Sequence, residues 1–547
     1  MKDKVTVDPP RRSAPVRSPP RRRVLPAVAG TSAVAAPAVV GSQQRQGSLV
    51  PDAAARSFAA PGTREGRVGV VDAGSNSVRL VVYEGASRAP AVVFNEKVMC
   101  GLGAELAETG RLSVSGRERA LRALTRFAAV AEHLNVATLA GIATAAIREA
   151  SDGAEFRAQV ARTTGIRLIV ASGGDEARLA ASGVLYGNPT ARGVVVDLGG
   201  ASMELCPVFG RSPGRGMTTP LGPQRLKREE DPTALVAKEL EAVAPTLRQH
   251  ASRLYLVGGS WRALARADME RRGYPLKVLH EYTLTAEAAH DLARFAQKTQ
   301  PAQLAALDGV SENRAGALPI AGRILQGLLD SLAPKEIAIS AFGLREGVVY
   351  EAMAPRLRAA DPLIAAAAEM EKLHARAHGF GAELGAWLNA VMAPTDPQEA
   401  RIITAACLLA DVNWRTHPDR RHEACWEAAT RVSLTDLGHH GRVILATALA
   451  ARYKRSKAAA PANELAALIS SETLARAIAI GLGMRLGCTL AATSPGILPH
   501  CRVERADGRL SLTLAGPARE LAGEDVEKRL SQFARALGIE GSALKAA

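Results

Sequence analysis

The sequence predicts an α/β protein in which two similar halves face each other across a cleft and a mainly helical third follows. Three observations predict it. Short β-branched runs alternate with helical stretches from residue 67 to about residue 350, the pattern of layered α/β domains. One strand–turn–strand unit occurs twice, Asp72-x-Gly74-x-x-Ser77-x-Arg79 being echoed by Asp197-x-Gly199-x-x-Ser202-x-Glu204. From about Met353 to Ser456 the chain is rich in Ala and Leu and reads helical, and residues 499–517 revert to a short strand pattern around Asp507-Gly508. The expected divisions are a tail over 1–66, a first domain over 67–190, a second over 191–352, and a helical C-terminal domain over 353–547 that ends in a short α/β segment.

Taken in order, residues 1–66 are rich in Pro, Arg, Ser and Ala and bury too little to offset their ordering entropy. They hold eleven basic and four acidic side chains, so they carry +7 of the net +15 and leave the body only mildly basic. Arg21–Arg23 followed by Val24–Val40 has the outline of a signal peptide, but it starts late and Pro26 and Pro37 interrupt it, so a solvated tail is expected. Val68–Val71 and Val78–Tyr83 flank a polar turn, the mark of a hairpin. Val114–Leu134 reads as a helix with Ser115 at its N-cap. Val136–Ile142 is strand-like, Ala145–Gly165 helical around a break at Ser151–Gly153, and Ile166–Ala171 a strand. A Ser-Gly-Gly turn then opens a helix from Asp175 to Leu185, whose N-terminus favours anions. The pattern restarts with strands at Gly193–Val196 and Met203–Val208. A third strand, Leu254–Val257, leads through Gly258-Gly259-Ser260 into a helix over Trp261–Met269, and Ile337–Ser340 is a late strand.

Six scattered cysteines without a CxxC pair indicate neither a disulfide framework nor a zinc ribbon, and suit a reducing, cytoplasmic setting. No uninterrupted apolar run reaches the roughly 18 residues needed to span a membrane, so no membrane association is expected.

The doubled turn carries the chemistry. Glycine lets backbone N–H groups approach an anion, and Ser and Asn add donors. Asp72 and Asp197, ending their strands, would each set a carboxylate at the cleft to bind a metal or position water. Arg79 can neutralise phosphate with a forked contact. Glu204, at the equivalent place, would repel phosphate unless a cation lies between them. The asymmetry predicts one arm that grips phosphate and one that holds Mg²⁺, an ion often shared with phosphates.

The stretches VVDAGSNSVRLVVYE, IATAAIREA, SGGDEARLA, VVVDLGGASMEL, VGGSWRALAR and SAFGLREGVVY occur in this order. Together they resemble the exopolyphosphatase and guanosine pentaphosphate phosphohydrolase family, most closely its bacterial exopolyphosphatases. The resemblance implies two actin-like (ribonuclease H-like) domains around a cleft, an HD-like helical domain behind them, and a homodimer. It implies that Glu176 is the catalytic base and that Asp197 and Glu204 are the acidic pair tied to Mg²⁺. It assigns Gly74, Ser75, Asn76 and Ser77 to the first phosphate loop, Gly199, Gly200 and Ser202 to the second, and Arg79 and Arg148 to the substrate path. Ala201 replaces a third glycine of the second loop, which puts that loop's backbone in question because alanine reaches positive φ poorly.

In the C-terminal third, His374 and His378 stand at helical i, i+4 spacing. LLADV resembles an HD segment in which Ala410 takes the histidine position, so an intact metal centre is not expected there. Arg442, Arg452, Lys454, Arg455 and Lys457 could line a path for a long polyanion or form a solvated face. The expected activity is Mg²⁺-dependent hydrolysis of the terminal phosphoanhydride of inorganic polyphosphate, with the 5′-phosphate of guanosine pentaphosphate (pppGpp) as the alternative. An ATP-dependent kinase of the same superfamily is disfavoured by the bulky Trp261 after the third glycine turn. A non-catalytic polyanion or nucleic-acid binder lacks an aromatic RNP-type cluster or zinc finger.

Overall fold

The computed structural model describes residues 66–547, apart from 86, 395, 432–433, 454–462 and 507. The expected tail, the signal-like segment, and Lys454, Arg455 and Lys457 lie outside the described residues. The first domain is a five-stranded sheet of β1 (Arg67–Ala73), β2 (Ser77–Tyr83), β3 (Val92–Met99), β4 (Val136–Ala143) and β5 (Leu168–Val170), in the order β3-β2-β1-β4-β5. Helices α1 (Val114–His133), α2 (Gly153–Thr164) and α3 (Gly173–Gly187) accompany it. Ala120, Ala123, Leu124, Phe127 and Ala131 recur at three- and four-residue steps along α1 and form its buried face, as an amphipathic helix requires. Its N-cap is Ser113, whose side chain accepts from the Gly116 N–H, rather than the expected Ser115. The helix begins at Val114, as expected, so the residue before it supplies the cap.

The second domain repeats this plan. Strands β6 (Arg192–Leu198), β7 (Met203–Phe209), β8 (Met217–Thr219), β9 (Arg253–Val257), β10 (Thr283–Thr285) and β11 (Glu336–Ile339) lie in the order β10-β11-β9-β6-β7-β8. Read as β8-β7-β6-β9-β11, five of them reproduce the order of the first sheet. In both sheets the first three strands are antiparallel and the fourth pairs parallel with the first. Helices α4 (Gly259–Arg271) and α5 (Leu344–Ala352) follow β9 and β11. The sequence echo is thus a duplicated actin-like sheet.

Helices α3 and α5 cross where the domains meet, and two glycines set their separation. A Cβ on Gly183 would stand 2.0 Å from the Gly343 carbonyl oxygen, and one on Gly347 would stand 1.9 Å from the Leu179 carbonyl oxygen. Neither backbone can yield locally, so Gly183→Ala should push the helices apart. We expect a loss of ~1–3 kcal/mol or more, the usual penalty for overpacking, read from denaturant unfolding. Because Glu176 rides on α3, activity should fall with it.

The C-terminal domain starts with α6 (Pro362–His374), α7 (Phe380–Met392) and α8 (Pro397–Leu408), and continues with α9 (His439–Tyr453) and α10 (Ser471–Leu490). It closes with β12 (Cys501–Ala506), β13 (Arg509–Leu514), α11 (Glu524–Ala536) and β14 (Gly541–Ala546). The short strand pattern expected over 499–517 corresponds to β12 and β13, which pair antiparallel, with Asp507 outside the described residues; β14, which pairs parallel with β13 through α11, was not expected. One continuous core of small and aliphatic residues joins these helices and strands. Among the described residues one helix, α10, is apolar and long enough to cross a membrane, and half of its apolar window is buried in the protein.

The C-terminal expectations are partly overturned. Helix α6 ends at His374, and His378 lies in a turn beyond it, so the two histidines do not share a helix face. Arg442 does not line a path: it is buried and donates to the carbonyls of Ala429 and Leu434. Asp411 of LLADV is buried in ion pairs with Arg376 and Arg452, and no metal-holding group of three His, Cys, Asp or Glu occurs among the described residues.

Candidate active site

The duplicated turns build the site by register. In the first hairpin Asp72 pairs across the strands with Arg79, and in the second Asp197 pairs with Glu204. The seven-residue spacing therefore makes each pair cross-strand neighbours on one face of its sheet. Both turns close with the same bond, Gly74 N–H to Ser77 O and Gly199 N–H to Ser202 O, each 3.0 Å. None of Gly74, Gly199, Gly200 or Ala201 has positive φ, so Ala201 costs the second loop nothing and the anticipated distortion is absent. The demand for glycine falls instead on Gly258 at the end of β9. Its φ is 114°, and a Cβ there would stand 2.6 Å from the Leu198 carbonyl oxygen and 3.0 Å from Asp197 Oδ1.

Between the domains lies a cleft of about 180 Å³. The predicted residues Asp72, Ser77, Arg79 and Asp197 line it, together with Lys97, Arg262, Arg314 and Arg345, which sequence reasoning had given no role. Arg262 and Arg345 stand in two of the quoted stretches, each just after a glycine turn that ends a strand, a signal that was available. Lys97 on the edge strand β3 and Arg314 carried none. Arg79 is oriented by Asn95, whose Oδ1 accepts from its Nε at 2.8 Å. Arg345 Nη1 stands 3.8 Å from Asp72. The cations repel one another: burial and the charges of Arg314, Arg79 and Arg345 push Lys97 down, and burial and Arg345 push Arg79 down. Such a cluster favours a polyanion.

The carboxylates of the site are governed first by burial. Glu176 is buried in the first turn of α3, which is fixed by a capping box between Ser172 and Asp175. Burial raises the Glu176 carboxyl to about 7 against the opposing pull of Arg148, and Asp197 and Asp72 raise it further. Arg148 is ion-paired with Glu176 and donates to the Ala171 carbonyl at 2.8 Å. It stands against the carboxylate, and neither Arg148 nor Glu176 is among the residues lining the cleft. Burial, Asp72 and Glu346 raise Asp197 to about 6, although Arg262 and Arg345 oppose this. Burial together with Glu176 and Asp197 raises Glu204 to about 8, despite hydrogen bonds from Ser202 and Thr218. Asp72 is likewise raised, chiefly by burial. Burial is thus the largest cause in all four; Asp72 and Asp197 face the cleft's cations, whereas Glu204 is raised further by Glu176 and Asp197.

The fold and site define a two-domain actin-like phosphohydrolase. The Ppx/GppA phosphatase family model matches residues 81–355, and the model described as exopolyphosphatase, C-terminal, matches residues 363–543. The chain belongs to the Ppx/GppA phosphatase family. It is 29% identical over 310 residues to exopolyphosphatase 1 of Mycobacterium tuberculosis, covering 52% of this chain and 87% of that protein. It is also 24% identical over 434 residues to retrograde regulation protein 2 of Saccharomyces cerevisiae, covering 70% and 72%. Among solved structures it resembles the Aquifex aeolicus family member, at 25% identity and a TM-score of 0.47 over 52% of this chain and 96% of that one.

Proposed function

We propose that the cleft hydrolyses the terminal phosphoanhydride of inorganic polyphosphate and releases orthophosphate. The observation that carries this reading is the lining itself: five cations and two aspartates, with no aromatic side chain. A phosphate chain needs charge neutralisation along its length, whereas a guanosine would need a surface on which to stack. Trp261 offers none, being fully buried. The space over the third glycine turn is filled by a guanidinium, Arg314 Nη1 lying 1.8 Å from where a Gly259 Cβ would stand.

Water attacks the terminal phosphorus as Glu176, its pKa near neutrality, takes the proton; a base poised there suits operation at pH 7. One P–O bond forms from water, the P–O–P bridge breaks, and the shortened chain leaves with the bridging oxygen. Arg148 holds the Glu176 carboxylate in one orientation. Arg79, Arg314 and Arg345 bind the phosphate oxygens, and Lys97 adds charge at the rim.

The all-oxygen donor set suits Mg²⁺, and a divalent cation would offset the repulsion that Glu176 and Asp197 exert on Glu204. Asp197 and Glu204, with Asp72 nearby, would hold it. When bound, it would neutralise charge on the phosphoryl group.

The experiment is orthophosphate release from polyphosphate and from guanosine pentaphosphate, with Mg²⁺, by the full chain. Polyphosphate should be the better substrate. Arg79→Ala and Arg314→Ala should each lower kcat/KM for polyphosphate about 10- to 100-fold, the value of a lost charge-assisted contact. If KM and kcat both stay unchanged, these residues do not grip the chain.

A further inference from the structure

Glu346 is a buried carboxylate to which the proposed reaction gives no role. It stands in the first turn of α5, directly after Arg345. Each of its oxygens is taken by a different domain. Oε2 accepts from the Gly343 N–H at 2.9 Å, which pins the turn between β11 and α5 in the second domain. Oε1 accepts from the Tyr83 hydroxyl at 2.8 Å, and Tyr83 is buried at the end of β2 in the first domain. Burial and the Glu346 charge push the Tyr83 phenol well above its ordinary value, so the hydroxyl keeps its proton and donates. A hydrogen bond to a charged group, away from water, is among the stronger kind. The turn pinned in this way contributes Gly343, Leu344 and Arg345 to the lining of the cleft, and β2 contributes Ser77 and Arg79. Arg345 reaches back across the domain boundary to Asp72, 3.8 Å away and so beyond hydrogen-bond distance. Its Nε is buried with no hydrogen-bond partner among the described residues. The place of this guanidinium is therefore set chiefly by the turn that carries it. Burial pushes Arg345 down, but Glu346 and then Asp72 hold it above its ordinary value, so it enters the cleft charged.

We propose that Tyr83 and Glu346 are positioning residues: the bond between them fixes the Gly343–Arg345 turn against β2 and so sets the Arg345 guanidinium at the phosphate. Neither residue lines the cleft, so both act through Arg345. The proposal rests on the reading of the cleft as the site of polyphosphate hydrolysis.

A double-mutant cycle on kcat/KM for orthophosphate release from polyphosphate, by the full chain with Mg²⁺, tests it. Tyr83→Phe removes a hydroxyl and keeps the ring. It should lower kcat/KM about ten-fold, the low end of what a hydrogen bond to a charged group is worth. In an Arg345→Gln background the same change should cost about two-fold or less, because residues that act through one another are not additive. Glu346→Gln loses the charge and one of the two acceptor oxygens, and should show the same coupling to Arg345. It serves should Tyr83→Phe unfold, and Arg345→Lys serves as the background should Arg345→Gln unfold. Denaturant unfolding establishes which variants are folded in the assay. A loss from Tyr83→Phe that is equally large with and without Arg345 would reduce the bond to a structural contact and overturn the proposal. Unchanged kcat/KM in folded Tyr83→Phe and Glu346→Gln proteins would overturn it as well. Wild-type protein that releases no orthophosphate would overturn the reading of the cleft, and the proposal with it.

Discussion

Glu176→Gln should lower orthophosphate release about 10²–10⁴-fold, the usual contribution of a general base, while the protein stays folded. The amide is nearly isosteric and keeps an oxygen that can accept from Arg148, so the fold should be retained. The wild-type profile should carry the second signature. A base must be deprotonated to act, and burial sets Glu176 at about 7. Activity should therefore fall about ten-fold per pH unit below that value. An ordinary glutamate would keep its activity down to about pH 4.3. In Glu176→Gln the residual rate should lose this limb. Unchanged turnover in the variant would remove Glu176 from the role.

Glu204→Gln should separate function from stability. Glu204 sits directly across the strands from Asp197, a like-charge pair that is destabilising, and its carboxyl is raised to about 8. A folded-state carboxyl raised above its unfolded value means that the native state holds the proton more tightly. The contribution is fully present below about pH 4.5, and is lost as pH rises from there through about 8. In chelator, the wild type should thus be less stable at pH 8 than at pH 5 on this account. Glu204→Gln should be more stable than wild type at pH 8 by ~1–3 kcal/mol, a fraction of the full shift. It should also lose Mg²⁺-dependent activity, and Mg²⁺ should stabilise the wild type more than the variant. Denaturant unfolding at the two pH values, with and without Mg²⁺, measures all three effects.

Much of this site could be read from the chain because it is built from local patterns. The strands, the polar turns and the seven-residue interval between charges are sequence-local, and strand register converts that interval into cross-strand pairs. The place of Glu176 in the first turn of a helix opened by Ser-Gly-Gly was legible locally, but its role as base came only from the family resemblance. What the sequence hid depends on distance along the chain. Arg314 belongs to the site only because it crosses to Gly259, and Lys97 only because β3 is the edge beside β2. Arg148, expected on the substrate path, is held by a carboxylate 28 residues on. Arg442, expected at a surface, is drawn into the core by two backbone carbonyls. No periodicity announces such contacts. Strand β14 was missed because its pairing with β13 waits on an intervening helix.

Water activated by Glu176 should leave its oxygen on the terminal phosphorus, which hydrolysis of polyphosphate by the full chain with Mg²⁺ in ¹⁸O-labelled water measures. The expected result is one solvent oxygen in each released orthophosphate, none in the shortened chain, and loss of the labelled product in Glu176→Gln. Label in the chain instead, or labelled orthophosphate formed at the wild-type rate by the variant, would contradict it.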